Sequence, residues 1–319
     1  MYLQKYIPKR RLLTGVIKCL FAIVLLIWLI RSDRIDFSVL FSTSLGIIHL
    51  FGLLLLTANL LLQALRWWWL LRIQKIRFTL WSAIKLSWIG QFFSLAMPGS
   101  AGGELARAYY VSRGAPNAKI ASISTILLDR FLGLNAILWL GIPSFLFLTL
   151  QNELDPTVIQ IGGLILLLVV SSCLSFLFFW LRYPRSLILK FIPERFRASL
   201  IVALDAYRSH GQDLLICFVV SLLASFLLMG AFLMAGHIAG VSINWHSLLL
   251  IVPLVIVSNS LPIAPGGIGV AETTASLLFA QFGVEKGATV MLIVRIGILL
   301  LRLPGGLIYI LSTKTRTIR

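Results

Sequence analysis

The sequence predicts an all-α integral membrane protein, with about six full transmembrane helices and two re-entrant broken-helix hairpins that form an inverted repeat. Three observations predict this fold. Of the 319 residues, 59% are hydrophobic and only 12% are charged, long apolar runs recur along the chain, and two of these runs are interrupted by proline and glycine. A soluble domain needs roughly 25% charged residues to cover its surface. The composition therefore excludes a water-soluble globular protein.

Six apolar runs are long enough to span a bilayer, which takes about 20 mostly apolar residues. They cover residues 13–30, 43–65, 121–149, 158–181, 213–237 and 288–311. The first run follows a basic segment, as the hydrophobic region of a signal peptide does. No small-residue cleavage site follows it, because the next residues are Arg31, Ser32, Asp33 and Arg34. We therefore interpret it as an uncleaved first span.

Two further apolar stretches, 79–113 and 246–284, contain helix-breaking clusters. The first cluster includes Pro98, Gly99, Gly102 and Gly103, and the second includes Pro265, Gly266, Gly267 and Gly269. Proline removes a backbone donor and glycine frees the backbone, so neither stretch is expected to form one continuous helix. Beyond each break, near Gly102 and near Gly269, we expect a half-helix whose N-terminus suits an anionic group such as phosphate.

The positive residues predict how these segments cross the membrane, because cytoplasmic loops are enriched in lysine and arginine. Basic residues flank both ends of 79–113, which therefore is predicted to leave and return on the cytoplasmic side. The following spans then place 246–284 with both ends outside and both chain termini in the cytoplasm. The 28 basic residues outnumber the 11 acidic ones, but no soluble basic domain is present, so nucleic-acid binding is not expected.

These segments form a single polytopic membrane domain over residues 1–319. Its first half, 40–150, contains the broken stretch 79–113, and its second half, 212–311, contains the broken stretch 246–284. Between the halves, apolar residues recur at helical spacing within 184–210. This pattern predicts an amphipathic helix on the cytoplasmic leaflet. A solvated connector is the alternative.

The two halves share an order of residues: a Pro-Gly break, a glutamate, and then an arginine within a span. The glutamate and arginine are Glu104 and Arg130 in the first half, and Glu272 and Arg295 in the second. Two broken hydrophobic segments in oppositely oriented halves point to the binding site of a transporter. The repeat therefore predicts transport, with the site where the breaks meet.

Several charged residues are predicted at membrane depth, namely Glu104, Asp129, Arg130, Glu272, Arg295 and Arg302. Each costs about 2.5–3.5 kcal/mol if it faces lipid, so partners or water are expected. We predict the pairs Glu104–Arg130 and Glu272–Arg295. These charges act either as buried ion pairs that hold the hairpins, or as a site where arginine binds a lipid phosphate through its planar fork. The two interpretations are compatible.

The remaining polar residues of the spans receive weaker interpretations. Arg66 and the tryptophans that follow it are interpreted as an interfacial belt with snorkelling arginines. Asn59, Gln63, Lys85, Gln91 and Asn259 either line a cavity or hold helices together, with a preference for a cavity role at Lys85 and Asn259. The scattered cysteines and histidines predict no metal site, and no cofactor is expected.

The chain resembles the family of lysylphosphatidylglycerol-synthase transmembrane regions, which are flippase-like membrane proteins. The resemblance spans about Leu12 to Leu311 and rests on six short motifs. They are Ala64-Leu65-Arg66-Trp67, Pro98-Gly99 through Gly103-Glu104, Arg107-Ala108-Tyr109, Asp129-Arg130, Pro265-Gly266-Gly267 with Gly269 and Glu272, and Leu292-Ile293-Val294-Arg295.

The resemblance implies a multi-pass protein of the inner membrane that moves a polar-headed lipid between leaflets. In the best-known members this domain translocates aminoacylated phosphatidylglycerol made by a fused cytosolic synthase domain. Two departures matter. Asp129 stands where the family usually has glutamate, and the chain contains no soluble aminoacyl-transfer domain, so synthase activity is not expected.

The function predicted is therefore a lipid flippase, for an anionic or aminoacylated phospholipid or a polyprenyl-phosphate-linked lipid, and not an enzyme. Alternatives are a membrane enzyme, or an accessory subunit, of lipid-linked sugar or aminoacyl-lipid synthesis. A separate cytosolic synthase or glycosyltransferase is a candidate partner, and a homodimer is compatible with the sequence. The residues predicted to bind lipid phosphate are Pro98, Gly99, Gly102, Gly103, Glu104, Arg107, Asp129, Arg130, Pro265, Gly266, Gly267, Gly269, Glu272, Arg295 and Arg302.

Overall fold

A computed structural model describes residues 46–95, 101–115, 118–151, 155–180, 194–261, 264 and 267–315. In this part of the chain all regular structure is helical. In chain order the helices are α1 (Ile47–Ile73), α2 (Leu80–Phe93), α3 (Ala101–Gly114), α4 (Lys119–Trp139), α5 (Gly141–Leu150), α6 (Pro156–Trp180), α7 (Glu194–Arg208), α8 (Gly211–Ile238), α9 (Trp245–Ser260), α10 (Val270–Ala280) and α11 (Gly287–Thr315).

Five segments are long and apolar enough to cross a membrane. They are Ile47–Ile73, Lys119–Leu150, Pro156–Leu177, Gly211–Ile238 and Gly287–Leu311. The predicted spans 43–65, 121–149, 158–181, 213–237 and 288–311 each coincide with one of them. The predicted span 13–30 lies outside the described residues. The all-α membrane fold is therefore confirmed over the described chain.

The first broken stretch forms two antiparallel helices, α2 and α3. Near the break, a Cβ placed on Gly90 would lie 3.0 Å from the carbonyl oxygen of Gly103. At the far ends, a Cβ placed on Gly114 would lie 3.0 Å from the Phe78 ring. Both pairs of ends are thus adjacent, so the stretch is a hairpin. The side of the membrane on which it opens stays a prediction.

The second broken stretch is likewise two helices, α9 and α10. As the Pro-Gly cluster predicts, α9 ends before the cluster, at Ser260, and α10 begins after it, at Val270. At the break, the backbone of Gly267 lies against Asn259. Away from the break, Leu278 of α10 packs with Leu250 and Leu254 of α9 in one hydrophobic cluster. The predicted pair of interrupted segments is therefore present, although Pro98, Gly99, Pro265 and Gly266 themselves lie outside the described residues.

The centre of the bundle is an antiparallel pair, α1 and α8. The side chain of Asn59 donates to the carbonyl oxygen of Ala224 at 2.7 Å, and Trp69, farther along α1, donates to Asp213, earlier in α8, at 3.0 Å. The hairpin α2–α3 and the helix α4 pack beside this pair, with the fully buried Trp67 in the shared core. This packing brings polar residues of α1 against α3 and α4.

The connector predicted over 184–210 contains the amphipathic helix α7. Ala203 and Tyr207 are buried, whereas Val202 is exposed. Gln74, just after α1, donates to the carbonyl oxygen of Ala203 at 2.8 Å, and burial raises the pKa of Tyr207 to about 12. The described part of the connector is therefore packed against the end of α1 rather than solvated.

The hairpin α2–α3 depends on glycine at position 103. A Cβ there would lie 2.5 Å from the carbonyl oxygen of Gly90, and it would also meet the hydroxyl of Ser94. We expect Gly103→Ala to destabilise the protein by about 1–3 kcal/mol, as overpacking does. Thermal unfolding of the purified protein followed by circular dichroism measures this effect.

A matched control is Gly163→Ala in α6, where a Cβ would contact no atom within 4 Å. Alanine is favoured over glycine inside a helix by roughly 1 kcal/mol, so this variant is expected to keep or raise the unfolding temperature. Equal unfolding temperatures for the two variants would contradict the close approach of α2 and α3.

Candidate functional site

A polar cavity of about 210 Å³ lies among helices α1, α2, α3, α4, α8 and α9. Its wall carries both charged and uncharged polar side chains. The charged residues are Arg66, Glu104, Arg107, Asp129 and Arg130, and the uncharged residues with amide side chains are Asn59, Gln63 and Gln91. Helices that are apolar along most of their length thus direct polar groups toward one space.

Asp129 on α4 joins two of these arginines. Its Oδ1 accepts from Nε of Arg66 at 2.7 Å, and its Oδ2 accepts from Nη1 of Arg107 at 3.2 Å. Arg66 also donates to the hydroxyl of Ser221 on α8 at 2.9 Å. The side chains of Arg66 and Asp129 are each 5% exposed. Three helices are therefore joined through one buried carboxylate.

Trp67 completes this arrangement from the other side. The guanidinium of Arg107 lies over its ring, 5.0 Å from the centroid, and its indole N–H donates to Thr125 at 3.3 Å. A cation near an aromatic face is stabilised by the ring quadrupole. Arg107 is thus held by a carboxylate and an aromatic ring while its side chain remains 16% exposed.

The interpretation of residues 66–69 as an interfacial belt is wrong for Arg66 and Trp67, which are buried. The physical reason is that α4 brings Asp129 against Arg66, so the arginine is paired inside the bundle and does not reach the interface. The interpretation agrees with Arg72, which is exposed and lies 4.8 Å from the ring centroid of Trp68.

The predicted ion pair between Glu104 and Arg130 is present. Glu104 stands in the first turn of α3, directly after the break, and Arg130 extends from α4. Their side chains are 22% and 29% exposed, so the pair is only partly enclosed. This pair forms part of the wall of the polar cavity.

The second predicted pair, Glu272 with Arg295, is also present and is more deeply enclosed. The carboxylate of Glu272 is 0% exposed. It accepts from the backbone N–H of Gly269 at 2.8 Å, and Arg295 donates to Asn259 and to the carbonyl oxygen of Gly267, each at 3.2 Å. Gly267 and Gly269 both have positive φ, a conformation that glycine adopts without strain.

The N-terminus of α10 therefore already has an anion, supplied by Glu272 of the same helix. The sequence predicts an external anionic group at this position, but the chain's own carboxylate occupies it. Glu272 and Arg295 also stand outside the wall of the polar cavity, which α9 lines with Ile256 and Ser260. The predicted site residues thus separate into an accessible group in the first half and a sealed group in the second.

Arg302 of α11 lies at the edge of the cavity. Its Nε is 3.3 Å from the side-chain oxygen of Gln91, which lines the cavity. Lys85, by contrast, faces the exposed ring of Trp81 at 5.5 Å from its centroid and does not line the cavity. Neither Lys85 nor Asn259, the two residues preferred for a cavity role, lines this cavity. The side chain of Lys85 is directed toward Trp81, and that of Asn259 accepts from Arg295.

An apolar groove of about 800 Å³ lies farther along α1 and α8. Leu56 lines the groove and Asn59 lines the cavity, and the same change occurs between Ala231 and Leu228 on α8. Three residues of helix correspond to about 4.5 Å along its axis. Residues one helical turn apart therefore line a polar compartment and an apolar compartment.

The cavity residues of α1 share a spacing that indicates an interior polar surface. Asn59, Gln63 and Arg66 are spaced by four and three residues, which places them on one face of a helix. Polar residues on one face of an otherwise apolar span are a signal for an interior polar surface. That spacing is visible in the sequence, but the partners of these residues are not.

Comparison with known proteins gives two matches. The family model for the lysylphosphatidylglycerol synthase TM region matches residues 15–305. A UPF0104 membrane protein of Pyrococcus horikoshii is 24% identical over 268 residues, which cover 76% of this chain and 79% of that protein. No solved structure matches the chain.

Proposed function

Because this chain belongs to the family of lysylphosphatidylglycerol synthase TM regions, we propose that it moves a polar-headed lipid between the leaflets of the cell's inner membrane. The lipid is an anionic or aminoacylated phospholipid, or a polyprenyl-phosphate-linked lipid. The chain moves it without chemical change and is not an enzyme. Both termini face the cytoplasm, where a separate synthase or glycosyltransferase supplies the lipid.

The charged cavity within the bundle is the observation that carries this proposal. A charged side chain among hydrocarbon is expensive, and such residues mark the pathways of polar substrates in membrane proteins. The cavity, at about 210 Å³, holds several water molecules or a phosphate-sized group, since each water takes about 30 Å³. It therefore provides a polar compartment within the bundle that can receive a headgroup.

The apolar groove supports a lipid rather than a soluble solute. A lipid has a polar head and apolar chains joined at one point, and residues one helical turn apart on α1, Asn59 and Leu56, line the cavity and the groove. The headgroup then lies in the cavity while a chain lies in the groove. A soluble solute has no apolar chain to place in the groove.

Crossing requires that the headgroup exchange its water for protein groups. Arginine matches phosphate geometry because its planar fork donates two parallel hydrogen bonds. Arg107 and Arg130 are the two cavity arginines with partly exposed side chains, whereas Arg66 is buried. We assign contact with the headgroup to Arg107 and Arg130, and positioning of Asp129 to Arg66.

The proposal predicts that Arg130→Gln slows lipid transfer in reconstituted vesicles about tenfold or more. Hydrogen bonds to charged groups contribute roughly 1.5–3 kcal/mol, and 1.4 kcal/mol corresponds to a factor of ten. The Glu104 side chain is 22% exposed although its Oε1 is buried, and water can enter the space that Arg130 leaves, so the fold is expected to persist in the variant. Transfer is measured with headgroup-labelled lipids and an impermeant quencher.

The matched control is Arg113→Gln. Arg113 is exposed on the same helix as Arg107, and its contact is the hydroxyl of Tyr109 at 3.4 Å. This variant is expected to transfer lipid at the wild-type rate. Equal rates in Arg130→Gln and wild type would contradict the assigned role, and wild-type rates no higher than those of protein-free vesicles would favour an accessory subunit.

A further inference from the structure

The polar cavity is not electrically balanced. Among the described residues, three arginines, Arg66, Arg107 and Arg130, line it, and the carboxylates that line it are Asp129 and Glu104. Both carboxylates form ion pairs with arginine, so each contributes one negative charge to the wall. Asp129 serves two arginines at once, so its single charge is shared. The cavity wall therefore carries one positive charge in excess.

The surrounding helices do not remove this excess. Helices α8 and α9 contribute uncharged residues such as Ser221 and Ser260, and the Glu272–Arg295 pair is neutral and lies outside the wall. At the edge, Arg302 contacts Gln91. Within the described residues no carboxylate lies in ion-pair distance of Arg302, which adds further positive charge near the cavity.

We propose that the cavity selects a lipid headgroup with a net negative charge. The ligand is a phosphodiester whose remaining headgroup is uncharged. It is favoured over zwitterionic headgroups and over lysylated headgroups, which are net cationic. An unpaired charge buried in a low-dielectric interior is unfavourable, so a ligand of opposite charge is stabilised there. This inference rests on the proposed function and narrows its substrate class.

Arg107 is the residue that exchanges partners. Arg66 is held by Asp129 at 2.7 Å and by Ser221, whereas Arg107 is 3.2 Å from Asp129 and more exposed. If Arg107 turns to a phosphate, Asp129 keeps Arg66 as its partner and remains paired. The phosphate then replaces Asp129 at Arg107, and no buried charge is left unpaired during the exchange.

Binding of short-chain lipids to the detergent-purified protein tests the inference without transport. The probes are phosphatidylglycerol (anionic), phosphatidylcholine (zwitterionic), lysyl-phosphatidylglycerol (net cationic) and inorganic phosphate. We expect wild type to bind phosphatidylglycerol about tenfold more tightly than the other two lipids. This is the ratio that the free energy of one hydrogen bond to a charged group produces. Weak displacement by inorganic phosphate is expected if the lipid, and not free phosphate, is the ligand.

The variant Arg107→Gln leaves two arginines and two carboxylates in the cavity wall. It is expected to bind the three lipids with affinities that differ by no more than about twofold, because the excess charge of the cavity wall is gone and Arg302 lies only at the cavity's edge. Arg113→Gln is expected to keep the wild-type preference. The unfolding temperature of each variant is measured with the binding. We expect Arg107→Gln to be folded, because Asp129 keeps Arg66 as its partner.

The outcomes separate this inference from the proposed function. Binding of lysyl-phosphatidylglycerol as tight as that of phosphatidylglycerol overturns the charge preference, even if both lipids are transferred between leaflets. Anion-selective binding without transfer in vesicles supports the preference and overturns the transport function. Inorganic phosphate that binds as tightly as phosphatidylglycerol overturns the assignment of a lipid as the ligand.

Discussion

Replacing Arg295 with alanine is expected to destabilise the protein by about 3–5 kcal/mol, because it leaves the buried carboxylate of Glu272 without its guanidinium. Glu272 is 0% exposed, so water does not reach it. The backbone N–H of Gly269 then remains as a hydrogen-bond donor to this carboxylate. Folded proteins are stable by only about 5–15 kcal/mol in total. The yield of monodisperse protein and its unfolding temperature measure the effect.

Removing both charges is the matched control. The double variant Glu272→Gln with Arg295→Met leaves no buried charge, and replacement of a buried pair by uncharged groups is often close to neutral. We therefore expect the double variant to unfold at a higher temperature than Arg295→Ala alone. If the double variant and Arg295→Ala unfold at the same temperature, or if Arg295→Ala unfolds at the wild-type temperature, the Glu272–Arg295 ion pair does not stabilise the second hairpin.

Replacing Asp129 with asparagine is expected to be the most damaging single change at the polar cavity. Arg66 is 5% exposed and loses its carboxylate, while Arg107 loses its only carboxylate within the described residues. Breaking a buried pair by removing one partner costs about 3–5 kcal/mol. We expect both a lower unfolding temperature and loss of lipid transfer in vesicles.

The conservative control is Asp129→Glu, which keeps the negative charge and adds one methylene. Overpacking costs about 1–3 kcal/mol, but both arginines keep a carboxylate, so lipid transfer is expected to persist. Equal losses in the two variants would mean that shape, and not charge, is what the cavity requires of residue 129.

The helices were predictable from the sequence because hydropathy, proline and glycine act locally. Apolar runs give the spans, and the clusters around Gly102 and Gly269 give the ends of α2, α3, α9 and α10. The pairs Glu104–Arg130 and Glu272–Arg295 were also predictable. The two halves repeat the same order of residues, and a charge at membrane depth requires a partner.

The position of Arg66 was not predictable in the same way. An arginine next to three tryptophans at the end of an apolar run has the pattern of an interfacial residue. Its partner Asp129 is 63 residues away in the chain, and its second partner, Ser221, is 155 residues away. No local pattern states that α1, α4 and α8 meet at this point.

The sequence by itself determined which segments enter the membrane, where two of them break and which charges are carried to that depth. Only the tertiary structure decided that the first-half charges line an open cavity with positive charge in excess, while the second-half pair is sealed. The reason is physical. Helix formation and membrane insertion depend on residues within about 20 positions of one another, whereas burial and charge balance depend on side chains that helix packing brings together from distant parts of the chain.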